Sequence, residues 1–182
     1  MVKGENKKML ASVDAIKELR EATSCGVIEC KKALEEAKGS MDKAKEILLK
    51  RGLEIAAKKG SRSANEGRIE SYVHLGSKIG VLVEVDCETD FVARSEDFCK
   101  FTKDIAMHIA AMAPRYIKRD DIPLDVAEKN QEDFVKANCL MEQSFVKDPK
   151  ITIQDYLNSL VAKIGENIFI NRFIRYKVGE VE

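Results

Sequence analysis

The chain has 182 residues, 45% of them hydrophobic and 34% charged, with 31 Lys plus Arg balanced by 31 Asp plus Glu. This composition suits one or two soluble globular domains and excludes a disordered chain. Zero net charge argues against a protein whose main partner is a phosphate backbone, and no apolar run approaches the roughly 18–20 residues of a membrane helix.

Met1 to Leu10 is polar and lysine-rich, without the apolar core of a signal peptide, and residues 1–11 read as a flexible tail. Ser12 is a helix cap, with Ile16 and Leu19 following on one face. Cys25-Gly26 interrupts that helix. Val27, Cys30, Leu34 and Ala37 have the spacing of a second helix, closed by Gly39. Ser40 opens a third, with Ala44, Ile47 and Leu48 inward, which Gly52 is expected to end. Residues 12–60 thus form a compact three-helix module. Between Asp42 and Arg62 seven basic residues stand against three acidic ones, either a solvated helix face or a docking edge for an acidic partner.

Residues 61–66 are small and polar and read as a linker, and residues 67–182 as an α+β core domain. The period changes to two. Ile69, Val73 and Leu75 alternate with polar residues, Gly76-Ser77-Lys78 turns the chain, and Val81, Val83, Val85 and Cys87 alternate on one face. This predicts a β-hairpin with one buried face. Ser95 caps a longer helix with the stripe Phe98, Phe101, Ile105, Ile109 and Met112, stopped by Pro114. Pro123 is expected to start a helix carrying Val126, Phe134, Ala137 and Met141 along one side, broken at Asp148-Pro149. Thr152 and Asp155 form a capping box for a helix with Ile153, Leu157, Leu160 and Ile164 inward, ended by Gly165. In the last strand Ile168, Ile170, Ile174 and Tyr176 are expected on one face, and Phe169, Phe173 and Arg175 on the other. An apolar strand of this kind is covered on both sides.

The chain carries no Gly-rich phosphate loop, and its only histidines, His74 and His108, lie far apart in ordinary structural settings. Five cysteines, an odd number set inside apolar patterns, fit reduced thiols in a cytoplasm rather than a disulfide framework or a zinc site. No Cys or Ser has an identifiable base partner. Function is therefore expected from surfaces, without catalytic residues, metal or cofactor. Two stretches are candidates. Val27 and Ile28 stand just past a glycine at the mouth of a helix, either in the small core or as an exposed anchor. Phe91, with Val92 beside it, stands at the junction of strand and helix. It is either a plug under the hairpin or a protruding aromatic set by Asp90 as a cap.

Three motifs, RxxTxxGVxxCKKAL from Arg20, TDFVAR from Thr89 and KIGENIFINRF from Lys163, stand in an order and spacing that resembles the elongation factor Ts family. The resemblance covers about Ser12 to Gly179. It implies a ubiquitin-associated-like (UBA-like) three-helix domain followed by an antiparallel sheet packed with helices. It also implies a guanine-nucleotide exchange factor that binds elongation factor Tu and expels GDP. By the resemblance, Arg20, Val27 and Ile28 match positions contacting the GTPase domain. Asp90 and Phe91 match the intruding pair, with Thr89, Val92 and Arg94 as further partner-binding positions beside them; the aromatic wedges between helices of elongation factor Tu and disturbs its Mg²⁺ and phosphate binding. No nucleic acid or membrane contact is implied.

The chain departs from the family pattern in places. Ser24-Cys25-Gly26 replaces the usual Gly-Ala-Gly, Val27 and Ile28 replace methionines, and Asn171 replaces an arginine. There is room for one core unit only. This resembles the short form, which pairs with itself and gives a two-plus-two complex, with the strand at Ile168 to Tyr176 as a place for pairing. Two other readings compete. A UBA-like adaptor for other proteins would have no reason to carry TDFVAR, and a nucleic-acid binder using the Lys43–Arg62 edge would show salt-dependent RNA binding.

Overall fold

The computed structural model describes residues 12–23, 25–59, 62–126 and 131–180. The expected tail at residues 1–11, Ser24, and the linker start at Ser61 lie outside the described residues.

Three helices come first: α1 (Val13–Thr23), α2 (Val27–Glu36) and α3 (Met41–Lys59). Ser12 caps α1 through its hydroxyl, which accepts from the Ala15 N–H at 3.1 Å. Leu19, Cys30, Ala33, Leu34, Ala44 and Leu48 form a small core of their own. α3 does not end at Gly52 as expected but runs on to Lys59. The reason is packing. A Cβ at Gly52 would lie 3.3 Å from the Ala162 Cβ and from the Asn158 carbonyl, so the missing side chain lets α3 lie close against helix α7 (Ile153–Ile164).

The second unit is built on a three-stranded antiparallel sheet in the order β1 (Glu66–Val73), β2 (Ile79–Cys87), β5 (Ile168–Lys177). Its inner face meets the long helix α5 (Glu96–Met112) and α7. Val81, Val83, Val85, Cys87, Phe98, Phe101, Ile105, Ile109, Ile153, Leu157 and Ile168 pack there. Both helices start as their capping residues dictate: the Ser95 hydroxyl accepts from the Phe98 N–H, and Thr152 and Asp155 complete a reciprocal box. α7 ends at Gly165, whose φ of 83° suits glycine.

Two strand faces differ from expectation. On β1 the apolar residues point outward, with Ile69 64% and Val73 66% exposed and Leu75 exposed beyond them. The register pairs Arg68, Glu70 and Tyr72 with the inward residues Val85, Val83 and Val81. It is therefore the polar row that lies over α5. Arg68 donates to Glu70 and to the Cys99 thiol, and Thr102 donates to Glu70, so the long stems cover apolar surface with their charges satisfied. On β5 a bulge at Asn171, opposite Glu84 and Val85, shifts the alternation. Ile168 and Ile170 face the core, but beyond the bulge Phe173 and Arg175 take the inner side. Ile174 and Tyr176 join Phe169 outside.

At Gly67 the sheet tolerates no side chain. A Cβ there would sit 2.4 Å from the Val85 carbonyl oxygen. Gly67→Ala is expected to destabilise the protein by about 1–3 kcal/mol, visible as a melting temperature lowered by ~2–8 °C. An unchanged melting temperature would contradict this packing.

The segment between α5 and α7 is less regular than expected. The described helix there is short, α6 (Glu132–Asn138), preceded by a 3₁₀ turn at Arg119–Asp121. Residues 127–130 of the expected helix lie outside the described residues. Ile122, Val135 and Cys139 form a separate small cluster, so Ala137 and Met141 do not share a buried stripe. A hairpin of β3 (Ser144–Phe145) and β4 (Asp148–Thr152) replaces the expected break.

His108 holds this hairpin. Gln143 donates through its amide nitrogen to the Ala137 carbonyl, which turns its oxygen toward His108 Nε2 at 3.0 Å, and the Val146 N–H donates to Nδ1. The neutral imidazole with its proton on Nε2 satisfies both bonds. Burial pushes the imidazole below the ordinary histidine range, against the Gln143 bond, which favours protonation. A depressed histidine contributes stability in full above about pH 6.5, and that contribution is lost as pH falls through the lowered value. Melting temperature is therefore expected to fall between pH 7 and pH 5. A His108 NMR titration midpoint at or above ~6.5 would contradict the arrangement.

Candidate functional site

The chain leaves β2 at Cys87 and re-enters a helix within three residues. Thr89 is extended, and its hydroxyl accepts from the Val92 N–H at 3.3 Å, capping the single turn α4 (Asp90–Ala93). Thr89, not Asp90, is thus the cap. Asp90 stands at the first helical position and pairs with Arg94 at 3.1 Å. Ser95 then donates to the Val92 carbonyl and caps α5 in turn. Two caps in seven residues make a stiff corner.

The corner sorts its side chains sharply. Phe91 is 81% exposed, whereas Val92 and Ala93 are buried in the main core. Phe91 is therefore no plug under the hairpin. Val92 is the residue that seats the corner, and it is not offered to solvent. Thr89, Asp90, Phe91 and Arg94 form the exposed set. Beneath them Cys87 donates its thiol proton to the Thr89 carbonyl at 3.1 Å. Burial, with the nearby Glu166 charge, pushes that thiol up to about 11, so it stays protonated and can donate.

Contacts distant in sequence brace the corner. Glu166 accepts from the Thr89 N–H at 3.1 Å and from the Thr89 hydroxyl at 2.8 Å. Glu88 accepts from the Asn167 N–H at 2.7 Å and from Arg62. The Asn167 amide donates to the Arg62 carbonyl at 2.8 Å. Sequence reasoning gave Glu166 and Asn167 no individual role. Their only signal was the GENI run itself, since the partners lie 77 and 79 residues away.

In the three-helix unit, Val27 is 51% and Ile28 69% exposed at the start of α2, so they are surface groups and not part of the small core. Arg20 is exposed in the last turn of α1. Cys25 and Cys30, the positions flanking them, are buried and free. Among the described residues no group of three or more His, Cys, Asp or Glu could hold a metal ion, and no helix is long and apolar enough to cross a membrane.

Comparison with known proteins agrees with the motifs. The family model described as Elongation factor TS matches residues 4–134 and 131–180. Elongation factor Ts of Thermoanaerobacter sp. (strain X514) is 47% identical over 196 aligned positions, covering 94% of this chain and 96% of that protein. Elongation factor Ts of Thermosipho melanesiensis is 47% identical and covered in full, and that of Carboxydothermus hydrogenoformans is 48% identical with 88% covered. With a family model matching nearly the whole chain and this similarity along its length, the protein belongs to the elongation factor Ts family.

Proposed function

We propose that this chain is a guanine-nucleotide exchange factor that binds elongation factor Tu in its GDP form and promotes GDP release. The observation that carries the reading is Phe91, an exposed aromatic on a corner too well capped to fold back over it. Phe91, with Asp90, enters between helices of the partner's GTPase domain and disturbs its hold on Mg²⁺ and phosphate. Thr89 and Arg94 line the same contact. Val92 supports it from within. Arg20, Val27 and Ile28, on what we take to be a UBA-like module, make a second contact that brings the corner to its target.

The chemistry asks for no catalytic group and no cofactor in this chain. GDP with Mg²⁺ favours one arrangement of the partner, and the inserted ring favours another. Each ligand therefore weakens the other by the same factor. A rigid aromatic suits this role because little entropy is lost when it docks. Zero net charge fits a protein partner better than nucleic acid, and we place the protein in the cytoplasm, where translation takes place.

We further propose that the chain forms a homodimer and acts as a two-plus-two complex. The outer sheet face supports this. Ile69, Val73, Leu82, Ile174 and Tyr176 lie on it, all exposed. Release of a fluorescent GDP analogue from elongation factor Tu tests the exchange reading directly. Acceleration by micromolar amounts of the protein is expected, and unaltered spontaneous release would overturn it.

A further inference from the structure

Thr89 is used twice. Its hydroxyl oxygen accepts from the Val92 N–H, while its single proton goes to Glu166. A hydroxyl is free to rotate, and only some of its orientations leave a lone pair toward the helix. The bond to Glu166 selects one of them, and the second oxygen of the same carboxylate holds the Thr89 N–H. Both donors of the residue that starts the aromatic corner are thus committed to one carboxylate from the far end of the chain. Glu166 is itself held in place. It follows Gly165, which turns the chain out of α7, and precedes Asn167, whose N–H is held by Glu88 from the opposite side. Each of the two crossing segments supplies a carboxylate to a backbone N–H of the other.

We propose that Glu166 is a positioning residue for nucleotide exchange, acting through Thr89 on the direction in which Phe91 projects. This rests on the wedge reading above. Glu166 need not touch the partner. Its bonds to Thr89 lie at the surface, where water replaces them at little cost to folding. The consequence falls on the geometry of the corner, and a small misplacement of a docking group is costly when the partner must be remodelled.

The test is release of a fluorescent GDP analogue from elongation factor Tu as a function of factor concentration, using the full-length protein. Glu166→Ala is expected to lower the maximal release rate by about tenfold, with a half-saturating concentration changed less than threefold and a melting temperature within a few degrees of wild type. Thr89→Val, which loses both the bond to Glu166 and the cap on Val92, is expected to lower the maximal rate at least as much as Glu166→Ala, and Thr89→Ser to restore it. In a Phe91→Ala background, Glu166→Ala should cost nothing further, because its effect runs through that ring. If Glu166→Ala does not fold, Glu166→Gln is used, which keeps the shape and one acceptor. A wild-type maximal rate for the Glu166 variant, or a loss that persists undiminished without Phe91, overturns the proposal while leaving the wedge intact. A Phe91→Ala protein that exchanges normally removes the wedge and this inference together.

Discussion

Phe91→Ala is expected to abolish most of the acceleration of GDP release while leaving the protein folded. The ring is exposed, so its removal creates no cavity and leaves no buried polar group without a partner. Melting temperature should stay within a degree or two of wild type. The cost appears only with the partner. Aromatic side chains bury about 150–250 Å² when they dock, and truncating such an anchor costs about 2 kcal/mol or more, close to thirtyfold in an equilibrium constant. Two neighbours give useful contrasts. Val92→Ala acts on the core beneath the corner and should lower stability, whereas Arg94→Ala removes only an exposed ion pair and should do little to it. Wild-type release by Phe91→Ala would leave the proposed mechanism without its working part.

Leu82→Asp or Ile174→Asp is expected to convert a dimer into a monomer. The two residues are cross-strand partners on the outer face of the sheet. Around them stand Ile69, Val73, Phe169 and Tyr176, each partly or largely in water. On the same face Glu84 is already matched, since Arg172 and Asn171 both donate to it, while Asp86 lies at the end of the face beside Phe169. A two-fold axis places the same patch on both sides, so one substitution introduces two charges into the contact. Burying an unpaired carboxylate costs several kcal/mol, and ~3 kcal/mol is already more than a hundredfold in the dissociation constant. Sedimentation equilibrium at micromolar concentration is the measurement. Wild type should sediment as a dimer and either variant as a folded monomer, with the melting temperature lowered only by the loss of dimer stabilisation. A monomeric wild type would remove the pairing, and with it the two-plus-two complex, without affecting the exchange reading.

Much of the α+β architecture was legible as local pattern. The capping residues Ser12, Ser95 and Thr152 each start the helix they announce. Apolar stripes of period 3.6 identify the inner faces of α5 and α7, except that Met112, at the end of the expected α5 stripe, is exposed, and the alternating valines of β2 identify its buried side. These signals work because a helix face, a cap and a strand alternation are set by neighbours within a few residues. The stretch around Phe91 was also visible as an aromatic at a strand–helix junction.

What the local pattern could not decide was which of two possibilities the assembled chain selects. Alternation on β1 marks two faces without saying which is covered. The register with β2 buries the stems of Arg68 and Glu70 and leaves Ile69 and Val73 in water. A single extra residue at Asn171 reverses the faces of β5, and nothing in its neighbours announces a bulge. Gly52 resembles a helix end until α7 is laid against it. The exposure of Phe91 and the bracing of Thr89 by Glu166 belong to the same class. They depend on segments 77 residues apart meeting in space, which is settled by the closure of the sheet and by no spacing along the chain.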